Sequence, residues 1–160
     1  MTDRHSGTSL SRVVPGFIAG FLATLIFHQL ALGLLWAAGI APMPPFVMAH
    51  TQPMGIPAVL SLAFWGGIWG IVFAFADASF PRGPAYWVTA FLFGAVLPSL
   101  CALVIVLPLK GRPLGGGWYP PFLVTVFLVN GFWGIGTGIF LRVFRVRMRA
   151  PGQARAHGKG

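Results

Sequence analysis

Apolar positions in this chain run unbroken for lengths that no half-buried element requires. Residues 14–40, 56–76, 86–109 and 121–144 are almost wholly hydrophobic, and no acidic residue falls between Asp3 and Asp77 or after Asp77. Each run reaches the roughly 20 residues an α-helix needs to cross about 30 Å of hydrocarbon. In that medium the backbone must satisfy its own hydrogen bonds, so helices are the natural spanning form. The pattern predicts an all-α, integral membrane four-helix bundle over residues 13–145.

The segments between the runs read as breaks. Residues 1–12 are polar and are expected to be disordered. Pro42, Pro44, Pro45 and Pro53 forbid a helix through the first loop. Pro81, Gly83 and Pro84 predict a tight turn that packs spans two and three as antiparallel neighbours. Gly115, Gly116 and Gly117 let the second loop bend, and Trp118 and Tyr119 suit a membrane–water boundary. The first run, about 27 residues long, exceeds the roughly 7–15 of a signal-peptide core, and no convincing small-x-small cleavage site follows it before Pro42. It reads as a retained span.

Composition removes the soluble alternatives. Only 8% of the 160 residues are charged and mean hydropathy is +0.80, against about 25% charged in soluble domains. The net charge of +9 would suggest nucleic acid in a soluble protein, but its placement speaks for topology. Arg4, Arg12, Arg82, Arg142, Arg145, Arg147, Arg149, Arg155 and Lys159 lie on one side, with only Lys110 and Arg112 on the other. Nine against two predicts cytoplasmic termini by the positive-inside rule. The tail, residues 146–160, together with Arg142 and Arg145, is expected to anchor topology and attract anionic lipid. No nucleic-acid partner is expected.

A short repeat is visible. Phe64-Trp65-Gly66 with Gly70-Ile71 recurs as Phe132-Trp133-Gly134 with Gly138-Ile139, five identities in eight positions at an offset of 68. That is compatible with a tandem helical-hairpin repeat, as in some transporters, and equally with chance recurrence of residues common in membrane helices.

Small residues form stripes at four-residue spacing: Gly16, Gly20, Thr24 and His28 in the first span, Gly66, Gly70, Ala74 and Ala78 in the second, Asn130, Gly134 and Gly138 in the fourth. This spacing keeps them on one helical face, where they allow close backbone approach, the usual route to helix association in lipid. Pro98 is positioned to kink the third span.

Candidate chemistry is sparse. His28, Gln29 and Asn130 are the intramembrane polar candidates, and a His28–Asn130 hydrogen bond across the bundle would satisfy both. His28 has no second intramembrane imidazole, which argues against a haem; His5, His50 and His157 fall outside the spans. Met43, Met48, His50 and Met54 crowd the first outer loop, a soft donor set compatible with Cu(I) and also with plain interfacial packing. Asp77 is expected to cap the inner turn or pair with Arg82. Cys101 has no second thiol and reads as a small apolar residue. Ser61, Ser99 and Thr137 lack an adjacent base, and no phosphate-binding loop is present. Neither an enzyme nor a resident cofactor is expected.

The string Phe27-His28-Gln29, residues 61–70 (SLAFWGGIWG) and residues 130–138 (NGFWGIGTG) resemble small, uncharacterised four-span membrane proteins of bacteria. The resemblance covers most of residues 13–145 and implies a bacterial inner-membrane location, with no activity attached. Two functional readings follow from the residues: a structural or accessory subunit of a membrane assembly, associating with itself or a larger complex, and a small-solute transporter or channel acting as an oligomer.

Overall fold

The computed structural model describes the backbone of residues 4–52 and 54–149 and the side chains of residues 10–52 and 54–145. Pro53, the tail from residue 150 and the side chains of Arg147 and Arg149 lie outside the described residues. Four helices are long and apolar enough to cross a membrane: Leu10–Ala37, Ala58–Ser79, Pro84–Leu109 and Pro120–Arg145. They form an all-α four-helix bundle, the architecture of a multi-pass membrane protein.

Helix ends follow local chemistry. The first span closes at Ala37 on the left-handed Gly39 (φ 73°), with Ile40 N–H bonded back to the Leu35 carbonyl. The third opens on Gly83 (φ 73°) and Pro84, and the fourth on Pro120, where the missing N–H costs nothing. At its other end the first helix reaches back to Arg4, through Pro15. The lead-in expected to be disordered is therefore helical from residue 4. The first loop holds a short antiparallel pair, β1 (His50–Thr51) with β2 (Ile56–Pro57).

Two wide turns interrupt the helices. Residues Thr24–His28 form a π turn in the first span, and Ala102–Val106 form another in the third, four residues beyond Pro98. A proline removes one ladder hydrogen bond, so the distortion expected at Pro98 is accompanied by this local unwinding. Nothing in the sequence reading anticipated the first π turn.

The spans join in two tight seams. A Cβ on Gly20 would stand 2.2 Å from the Gly66 carbonyl oxygen, and one on Gly70 2.2 Å from that of Gly16. In the second seam a Cβ on Gly94 would lie 2.2 Å from the Asn130 carbonyl oxygen, and one on Gly134 2.1 Å from that of Ala90. Spans one and two, and spans three and four, thus meet backbone to backbone. Spans one and four join the two pairs: Trp133 Nε1–H donates to the Gly20 carbonyl at 3.0 Å, and Phe27 covers Gly136.

Spans two and three, expected as antiparallel neighbours, do not form a third backbone seam. The tight turn brings their ends together, but the helices meet through rings, Phe73 against Phe93 at 5.1 Å and Phe80 against both. A short turn fixes proximity at one end only. Close approach needs small residues on both faces, and these two faces present phenylalanine. Phe73, fully buried, is the hub of the core with Trp133, Tyr86 and Leu141 around it.

Arg12 stacks over Phe75, and Arg145 reaches Asp77. The start of span one and the ends of spans two and four therefore gather at one end of the bundle, called here the terminal end. The two longer loops occupy the opposite, loop end.

Candidate functional site

Four sets of chemistry-bearing residues are placed by this fold. Mid-bundle, Asn130 lies on the seam with span three, because the Asn130–Gly134 face is the one that Gly94 crosses. Its Nδ2 donates to Ser99 Oγ at 3.0 Å, and Ser99 in turn donates to the Val126 carbonyl at 3.3 Å. The expected His28–Asn130 bond is therefore absent: span three supplies a nearer hydroxyl, and His28 belongs to the first span's π turn.

His28 and Gln29, both buried, act as a unit at the start of the following α-helical segment. Gln29 Oε1 accepts the Phe46 N–H at 2.7 Å, which leaves its Nε2 to donate to His28 Nδ1 at 3.4 Å. A neutral imidazole that accepts at Nδ1 carries its proton on Nε2. The bond to Phe46 draws the first loop onto the bundle, and Phe46 adopts a left-handed φ of 53° there. The pair's visible work is to hold that loop.

At the terminal end sits the one acidic side chain among the described residues. Asp77, its side chain 3% exposed, receives Tyr86 Oη–H at 2.5 Å on Oδ1 and Arg145 Nη2 at 2.5 Å on Oδ2. Arg142 lies flat over the rings of Tyr86 and Trp87, at 3.9 and 4.3 Å. Arg82, the partner expected from sequence, is exposed. A neighbour five positions away in a turn loses to one two spans further along the chain, because the end of span four packs across that of span two. Asp77 and Arg145 are separated by 68 positions, the offset of the Phe-Trp-Gly repeat, so they hold equivalent places after spans two and four. These contacts also occupy Arg142 and Arg145, two of the residues expected to face lipid.

At the loop end, His50 Nδ1–H donates to the Gly55 carbonyl at 2.6 Å, closing the small hairpin. A carbonyl can only accept, so this contact places the ring proton on Nδ1 and leaves Nε2 as a lone-pair donor, the arrangement common in metal-ligating histidines. Met48 and Met54 flank it and are exposed, whereas Met43 lines a separate cavity against the second loop. The four proposed soft donors thus do not share one site. No group of three or more His, Cys, Asp or Glu side chains among the described residues is placed to hold a metal.

That cavity, about 330 Å³, is walled by Met43, Leu107, Arg112, Gly116, Tyr119 and Phe122 with neighbouring prolines. Its shape depends on four successive left-handed residues, Gly115, Gly116, Gly117 and Trp118. The Trp118 indole lies over Gly115 and the Phe122 ring over Gly116, both closer than any Cβ would allow. Glycine is required there by conformation and by space.

No protein-family model matches the chain, and searches of curated proteins and of solved structures return no match.

Proposed function

We propose that this chain is a structural or accessory subunit of a bacterial inner-membrane assembly, associating with itself or with a larger complex and holding both termini in the cytoplasm. The observation that carries this reading is the closure of its buried polar groups. Among the described residues every buried side-chain nitrogen and oxygen has a hydrogen-bond partner within the chain. Thr24, Thr125 and Thr137 return their hydroxyls to carbonyls one turn back, and Asn130, Ser99 and Trp133 bond across seams. A solute path needs polar groups that a passing solute can engage, and here the axis is filled by Phe73, Trp133 and Tyr86.

Large apolar side chains cover the outside instead, with Trp65 59% and Leu34 74% exposed. Lipid or a neighbouring subunit satisfies such a surface; water does not.

The transporter reading keeps one specific support. Both π turns fall in the first helix of a hairpin pair, and such turns occur frequently at functional sites. Cys101 immediately precedes the second of them and is partly exposed, so its reactivity separates the two readings. With a membrane-impermeant thiol reagent applied to both faces of the membrane, an accessory subunit leaves Cys101 unlabelled until detergent is added. Rapid labelling in intact membranes would place water along the third span and favour transport.

A further inference from the structure

We propose that the loop-end cavity is a binding site for an anionic phospholipid, with its phosphate held by Arg112 and its hydrocarbon against Leu107 and Phe122. This inference requires only that the bundle span a membrane, and it stands apart from the subunit reading.

The first argument is charge. Among the described residues the one carboxylate is Asp77, and it lies at the terminal end. No described carboxylate lies at the loop end, and no described acidic side chain neutralises Lys110 or Arg112. Of the two, only Arg112 lines the cavity.

The second argument is construction. Arg112 N–H bonds back to the Leu107 carbonyl at 2.9 Å through the left-handed Gly111, which fixes the backbone from which the guanidinium projects. Opposite it, the ring of Phe122 presses on Gly116, and Met43 closes the wall from the first loop. The cavity is a half-open groove of about 330 Å³, and Arg112 beside apolar walls is a fitting surface for one phosphate oxygen pair with adjoining chain lying along the bundle.

The third argument is depth. Leu107 belongs to the last turns of span three and Phe122 to the first turn of span four. The cavity therefore opens where hydrocarbon gives way to headgroups, with Tyr119 and Trp118 at the same level. A soluble anion would meet the charge but not the apolar walls. The lipid phosphate meets both, and a headgroup without an ammonium leaves the guanidinium as its sole counter-charge.

The test is native mass spectrometry of the full-length protein, released from micelles containing equal amounts of phosphatidylglycerol and phosphatidylcholine with identical acyl chains. Wild type is expected to retain one phosphatidylglycerol in preference to phosphatidylcholine. Arg112→Gln should weaken that retention about fivefold, the share of one basic residue at a lipid surface. Lys110→Gln removes the same charge beside the cavity and should change retention less than about twofold. Met43→Trp, which fills the cavity and leaves every charge in place, should act like Arg112→Gln; elution as a monodisperse species confirms that each variant is folded. Equal losses in the two charge variants would mean diffuse attraction and overturn the site. Absence of any lipid preference in wild type would do so too, and so would retention untouched by Met43→Trp. Displacement of the lipid by excess inorganic phosphate would assign the site to a soluble anion instead.

Discussion

Asp77 and Arg145 do not share their pair equally. The carboxylate is 3% exposed and the guanidinium side chain 45% exposed, so removing one partner strands a buried anion and removing the other frees a cation that water can reach. Breaking a buried pair costs most when a charge is left uncompensated in the interior. Arg145→Met should therefore destabilise the bundle by about 3 kcal/mol. Asp77→Asn keeps an acceptor for Tyr86 and should cost about 1 kcal/mol. Denaturation of both variants in mixed micelles measures the difference; equal losses would show the carboxylate to be hydrated after all. At this scale the sequence was a partial guide. It singled out Asn130 and His28 as residues needing partners, because a polar group in hydrocarbon must have one, and gave Asp77, in the inner turn, a capping role or a charged mate. It misassigned those partners to Arg82 and to each other, since pairing depends on which faces meet.

Among the elements, the glycine stripes were legible because four-residue spacing marks a face whatever that face touches. Their mates were not. Gly70 packs on Gly16 and Gly20 as Gly134 packs on Ala90 and Gly94, so the two seams correspond one helical turn out of register with the Phe-Trp-Gly repeat. Steric demand there is severe. Gly70→Val should force spans one and two apart and cost about 3 kcal/mol or more. Gly83→Ala meets no atom within 4 Å but must hold φ 73° with ψ −149°, a region essentially reserved for glycine, and should cost about 2 kcal/mol. Unfolding curves for the two variants give the order, and the reverse order would mean that the seam opens without strain. The π turns were invisible to pattern reading, because one extra residue in a turn leaves an apolar run looking the same.

For the whole molecule, an even number of spans and a nine-to-two distribution of basic residues carry the proposed topology. Reporter fusions to each terminus should give the same, cytoplasmic signal, and reporters placed in the second loop near Lys110 the opposite one. Opposed signals from the two termini would remove a span and with it the arrangement of both seams. The terminal end is cross-tied by side chains, Asp77, Tyr86, Arg142 and Arg145, while the first loop is tied down chiefly by backbone bonds and by Gln29 to Phe46.

By itself the amino-acid order determined the solvent, the number of spans, their approximate limits and the faces suited to close approach. These depend on length, hydropathy and spacing, which are properties of a single helix. Only the tertiary structure decided that span one pairs with two and three with four. It alone matched Asp77 with Arg145 and Asn130 with Ser99, and drew Met43 away from His50 into a cavity beside Arg112. Such choices compare the shapes of surfaces distant in sequence, and an apolar run carries no record of what it will meet.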